Sequence, residues 1–182
     1  MLLETGKYYH LCNLSVSEKI IFKEDKNYLF FLERYQLYLG ELVSTLAYCL
    51  MPTDFHFVIK VITPDCDLLE KNLTAFLNGY AKAINNGSVQ NEHSLHLEVK
   101  AGEISDESQL LPLITHVHQQ PVIGKLVDVM EEWKYSSYPD LIGRRNGAIV
   151  SDNFIRQHFF TAEEFQKYSE GMIDAVQRKH RM

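Results

Sequence analysis

Alternating polar and apolar positions in "YYHLCNLSV" (8–16) predict a first β-strand. From Asp25 to about Leu42 the apolar spacing lengthens to three and four residues. Tyr28, Phe31, Leu32, Tyr35, Leu39 and Leu42 then form one face of a helix. "STLAYCLMP" and "DFHFVIKVI" return to strand character on either side of Pro52-Thr53-Asp54, a turn short enough to make them an antiparallel hairpin. A second helix opens on an Asp67/Glu70 capping box and carries Leu69, Leu73, Phe76, Tyr80 and Ile84 on one stripe. It stops at "NNG", where Gly87 can take the left-handed conformation.

"HSLHLEVKAGEI" (93–104) alternates again and gives a fourth strand. "DESQLLPLITHVHQQ" (106–120) resumes helical spacing through Leu110, Leu113, Ile114 and Val117. Pro112 is tolerated there if it falls in the first turn, and Pro121 closes the segment. The loop-like "EEWKYSSYPDLIGRRNGA" leads to a last helix at 161–179. Thr161 and Glu164 form its capping box, and Phe165, Tyr168, Met172 and Val176 its apolar stripe. The order β-α-β-β-α-β-α predicts an α+β protein, a split βαβ (ferredoxin- or RRM-like) two-layer sandwich. Its antiparallel sheet of four or five strands has helices on one face. Residues 1–140 make that domain, and 141–182 a C-terminal helical extension packed on it.

Composition narrows the class. At 182 residues, 46% hydrophobic and 23% charged, the chain suits a soluble globular protein with one core. No apolar run is long enough to span a bilayer, and "MLLETGKYYH" lacks a signal peptide's basic start and apolar centre. Cys12, Cys49 and Cys66 are odd in number and far apart, which argues for a reducing cytoplasm and against structural zinc. A formal net charge of −6 argues against tight binding to a phosphate backbone.

The chemistry concentrates in "CLMPTDFHFVIKV" (49–61). Strand parity sends Phe55, Phe57, Ile59 and Val61 to one face, and Asp54, His56, Val58 and Lys60 to the other. A carboxylate and an imidazole then stand about 6–7 Å apart at their Cα atoms, a spacing that suits a shared divalent ion. In "LITHVHQQPV", His116 and Gln120 are four apart and share a helix face. If that face meets the strand, Asp54, His56, His116 and Gln120 converge, with oxygen and nitrogen donors suited to magnesium or manganese. Purely structural roles also fit: Asp54 as a turn cap, His56 and His116 as ordinary histidines, Gln120 as a helix-end cap.

The segments "YHLCN", "YLFFL", "AYCLMPTDFHFVI", "FLNGYAKAIN", "HSLHLEVK", "LITHVHQQPV" and "WKYSSY" occur in that order between about Tyr8 and Tyr138. In order and content they resemble the single-tyrosine transposases of the HUH superfamily, especially the REP-associated tyrosine transposases. "AYCLMPTDFHF" is the most specific match, and the last forty or so residues match nothing in the family pattern. The resemblance implies a metal-dependent DNA transposase in which two histidines flanking a hydrophobic residue bind a divalent ion. A helix tyrosine there attacks single-stranded DNA, and a polar residue four places on completes the ligand set.

This chain departs from that pattern at its centre. Asp54 stands at the first histidine position and His56 at the second. His116 occupies the nucleophile position, and Gln120 replaces the asparagine four residues later. "HSLHLEVK" lacks the family's arginine and gains Glu98, and no glycine follows Asn13. The resemblance therefore implies a DNA-binding protein with a degenerate active site, metal ligands Asp54, His56 and Gln120, and His116 in place of the family nucleophile; an active nuclease or transferase using His116 or a nearby tyrosine stays open as a further reading. Magnesium or manganese is the implied ion, single-stranded or hairpin DNA the implied partner, and a homodimer is left open. The competing expectation is a non-enzymatic interaction or scaffold domain on the same fold. Tyr80 falls on an apolar helix stripe and belongs to the core.

Overall fold

The computed structural model describes residues 3–13, 19–86 and 95–179, with side chains through residue 171 of the final helix. Strand β1 (Tyr8–Asn13) is followed by helix α1 (Asp25–Leu39), then by β2 (Val43–Leu50) and β3 (Phe55–Val61). Next come α2 (Cys66–Asn86), β4 (Val99–Ile104) and α3 (Leu110–Ile123). Short helices α4 (Tyr138–Leu141) and α5 (Asn153–His158) precede α6 (Ala162–Lys179). The sheet order is β2-β3-β1-β4 and every pairing is antiparallel, the arrangement expected of a split βαβ unit.

Parity explains the layers. Tyr9 and Leu11 of β1, and Phe55, Phe57, Ile59 and Val61 of β3, all enter a core closed by α1 and α2. Tyr35 stacks on Phe57 with ring centroids 4.1 Å apart, and its hydroxyl shares a 2.7 Å hydrogen bond with Thr45. The expected two-layer unit with helices on one face is thus present. Helix α3 is added on the opposite face, where Leu110, Ile114 and Val117 pack with Ala47, Cys49 and Val58. A β-bulge between Thr45 and Ala47 makes this possible. The extra residue, Leu46, switches the parity of β2, so that Tyr48 and Leu50 stay with the first core while Ala47 and Cys49 meet α3.

β2 is an edge strand, and "WKYSSY" covers it. The Leu50 amide donates to the Tyr135 carbonyl at 2.9 Å, the Ser137 amide donates to Tyr48 at 3.0 Å, and the Trp133 indole donates to the Leu50 carbonyl at 3.0 Å. An exposed row of backbone groups is thereby satisfied.

Several boundaries differ from those predicted. Helix α1 stops at Leu39, because β2 starts at Val43 and leaves only a short turn. Helix α2 begins at Cys66 and is capped by Asp65, whose carboxylate accepts from the Leu68 amide at 2.9 Å; Glu70 instead accepts from the amide of Leu3. Pro112 does fall in the first turn of α3, but Pro121 does not close it. The helix runs to Ile123, since a proline this near the C-terminus costs only one intrahelical bond. The fourth strand covers only 99–104. Leu95 and Leu97 are buried as their alternation implied, yet the backbone of Leu95 is held at both N–H and C=O by the Asn85 side chain instead of a ladder. At α6 the Thr161/Glu164 box is made: the Glu164 amide donates to Thr161 Oγ1 at 3.2 Å, and the Thr161 amide donates back at 3.4 Å. The predicted stop at Gly87, the continuation of β1 past Asn13, the start of the fourth strand and the Met172 and Val176 side chains lie outside the described residues.

Candidate functional site

β3 presents His56 on the sheet face away from α1 and α2, because Phe55 and Phe57 on either side are drawn into the main core. The turn before it is fixed by Asn13 at the end of β1. The Asn13 side-chain carbonyl accepts from the Phe55 amide at 2.9 Å, and its NH2 donates to the Thr53 carbonyl at 3.3 Å. That clip holds Asp54 where its Oδ1 lies 3.2 Å from His56 Nε2, while Thr53 Oγ1 donates to Asp54 Oδ2 at 3.1 Å.

β1 brings two further donor residues to this face. Tyr9 and Leu11 are buried toward α1 and α2, so His10 and Cys12 project the other way. Cys12 pairs directly with His56 across the β1–β3 ladder and with Lys100 across the β1–β4 ladder. His10 Nε2 lies 3.0 Å from His56 Nδ1, with the rings stacked at 5.1 Å between centroids and 16° between planes. One ring nitrogen each of His10 and His56 and the Cys12 thiol lie within 4.8 Å of one another.

Proton positions follow from the partners. With Asp54 beside Nε2, a neutral His56 carries its proton there and offers the Nδ1 lone pair to His10. His10 donates from Nε2. Burial holds the His10 pKa down at about 4, helped by His56, His116 and Lys100, so it is neutral at physiological pH. Burial likewise pushes the Cys12 thiol up; Lys100 opposes this and Asp54 adds to it.

α3 supplies the remaining predicted residues. Its buried Ile114 and Val117 dock it on the sheet and leave His116 and Gln120 on the outer side. Gln120 Nε2 donates to His116 Nε2 at 2.8 Å, which leaves the Gln120 amide oxygen out of that bond. His116 has a lowered pKa, through partial burial first and through His56 second. The structure thus joins Asp54 to His56 and His116 to Gln120. Among the described residues, Asp54 and Gln120 share no hydrogen bond.

The sequence reading passed over three residues of this region. His10 and Cys12 carried a usable signal, an alternate-residue pair of ligands in "YHLCN" with the same spacing as Asp54 and His56. His118, two residues beyond His116, faces inward and is fully buried. Its Nε2 lies 2.8 Å from Ser137 Oγ, a hydroxyl that also bonds the backbone of Tyr48, so it anchors α3 to the edge strand. Tyr80 is core, as predicted. It is fully buried and donates to the Ile21 carbonyl at 3.0 Å, and burial raises its pKa.

A separate groove of about 740 Å³ is lined by Arg144, Arg145 and Arg156, among others, and by none of the residues above. Each arginine already faces a carboxylate: Glu131 at 3.4 Å, Asp140 at 2.7 Å and Asp152 at 2.6 Å respectively. No helix is long and apolar enough to cross a membrane among the described residues.

No family model matches the chain, and no curated protein sequence matches it. A solved structure of a REP-associated tyrosine transposase bound to a REP hairpin aligns with 83% of this chain and 92% of that chain. The TM-score is 0.62 at 10% sequence identity, a likeness of fold.

Proposed function

We propose that this chain, which shares the fold of a REP-associated tyrosine transposase, is a transposase-like DNA-binding protein that holds single-stranded or hairpin DNA without joining to it. The observation that carries the reading is the likeness over 92% of a transposase bound to a hairpin. The absence of joining rests on His116, which stands where the resemblance places a tyrosine. An imidazole has no hydroxyl to form a phosphodiester linkage.

Asp54 and His56, with Gln120 as a third ligand, would hold a magnesium or manganese ion. Asp54 Oδ1 and His56 Nε2 are already 3.2 Å apart, and the Gln120 amide oxygen is not engaged by His116. Such an ion supplies Lewis-acid polarisation of a phosphate oxygen. His116 and Lys100 add donors around it, while the net charge of −6 makes binding weak. The three cysteines are free, in keeping with a reducing cytoplasm.

A second reading, an interaction domain that has lost nucleic-acid binding, is favoured by one observation: every arginine lining the 740 Å³ groove is already paired to a carboxylate. The test uses labelled hairpin DNA with manganese, run in parallel on native and denaturing gels. A shift on the native gel with no adduct on the denaturing gel is expected. No shift supports the interaction domain. An adduct overturns the non-joining reading, and Tyr8, on the same strand face as His10, is then the first tyrosine to substitute.

A further inference from the structure

We propose that His10 Nε2, His56 Nδ1 and Cys12 Sγ form a binding site for a zinc-class divalent transition ion, with Asp54 as the residue that positions His56. The proposal does not depend on DNA binding.

The placement comes from the sheet. His10 and Cys12 occupy alternate positions on β1, and Cys12 lies directly opposite His56 on β3, so three ligands share one face of two adjacent strands. His10 Nε2 and His56 Nδ1 are 3.0 Å apart, and one ring nitrogen of each histidine lies with the Cys12 sulfur in a cluster whose atoms are all within 4.8 Å of one another. A tetrahedral ion with bonds of about 2.0–2.1 Å to nitrogen and about 2.3 Å to sulfur needs donors roughly 3.3–3.6 Å apart. The nitrogens stand slightly closer than that range, and the sulfur is within 4.8 Å of a ring nitrogen of each histidine.

The environment of His56 supports the same assignment. Ligating histidines ordinarily give their second ring N–H to a carboxylate, which fixes ring and tautomer. Asp54 Oδ1 stands 3.2 Å from His56 Nε2, and Asp54 is itself held by Thr53 Oγ1. The lone pair of Nδ1 is therefore aimed at the cluster. Two imidazoles and a thiolate are a soft donor set, suited to zinc or cobalt and poorly suited to magnesium or manganese. Three protein ligands leave a fourth position for water or a phosphate oxygen, as in open zinc sites.

Loading the site balances as follows. The Cys12 thiol loses its proton to solvent as the sulfur–metal bond forms. The His10–His56 hydrogen bond breaks, and the His10 proton moves from Nε2 to Nδ1, leaving both imidazoles neutral. Because one His56 ring serves both arrangements, zinc at Nδ1 and manganese at Nε2 compete.

The test is cobalt(II) titration of the reduced, metal-free protein followed by near-ultraviolet absorption. A sulfur-to-cobalt charge-transfer band is expected, displaced by zinc. Cys12→Ser should abolish the band and Cys66→Ser should leave it. Asp54→Asn should weaken cobalt binding by about 10–100-fold with the band position unchanged. Absence of the band in the wild-type protein overturns the proposal whatever the variants do, as does its persistence in folded Cys12→Ser. Hairpin affinity, measured on the same preparations without metal, reports separately on DNA binding.

Discussion

Acid should unfold this protein through His118. The side chain is fully buried between Tyr138 and Phe165. Ser137 Oγ donates to the Tyr48 carbonyl and accepts from the Tyr48 amide, so its remaining lone pair takes the His118 Nε2–H. Nδ1 is then a buried lone pair with no hydrogen-bond partner. Protonating it would bury an unpaired charge, and burial accordingly lowers the pKa to about 3. The unfolded chain takes up that proton near its ordinary value of about 6.5, whereas the folded chain does not until about pH 3. Stability is therefore complete above about pH 6.5 and is lost as pH falls toward 3. Linkage gives a slope approaching 1.4 kcal/mol per pH unit, hence about 2 kcal/mol lost by pH 5 and about 3 kcal/mol by pH 4. His118→Gln keeps a donor for Ser137 and does not titrate. Urea unfolding from pH 7.5 to 4 should show the variant's stability falling less steeply by that slope. Parallel curves for the two proteins would refute the reasoning.

The buried hydroxyl of Tyr138 finds no hydrogen-bond partner among the described residues, so Tyr138→Phe should leave stability unchanged or raise it by about 1 kcal/mol in the same assay. Arg145 holds Asp140 with two hydrogen bonds of 2.7 Å and also donates to Tyr48 Oη and the Lys134 and Ser136 carbonyls. Arg145→Lys, which cannot reproduce that fork, should cost about 1–3 kcal/mol by urea unfolding. Combining His116→Tyr with Asp54→His should create a slowly migrating DNA adduct on a denaturing gel, if the site has lost only those two groups.

The hairpin and both main helices were legible because their signals are local: period two around Pro52, and three-to-four spacing along α1 and α2. The pairing of Asp54 with His56 followed from parity alone. What brought His10 and Cys12 to His56 was the β1–β3 register, a contact more than forty residues apart in sequence that no local period encodes. The burial of Ala47 and Cys49 under α3 depended on the bulge at Leu46, which reverses the parity of one strand midway. In "HVHQQ" two histidines two residues apart point to opposite sides of a helix. Only packing decides which of them is the anchor and which is the exposed neighbour of the site.

The most direct test of the central claim is fluorescence anisotropy of a labelled DNA hairpin with a single-stranded flank, titrated with the protein at two salt concentrations. The account predicts saturable binding that weakens as salt rises and is tighter than binding to blunt duplex of the same length. No binding at low salt, or equal affinity for hairpin and duplex, would contradict it.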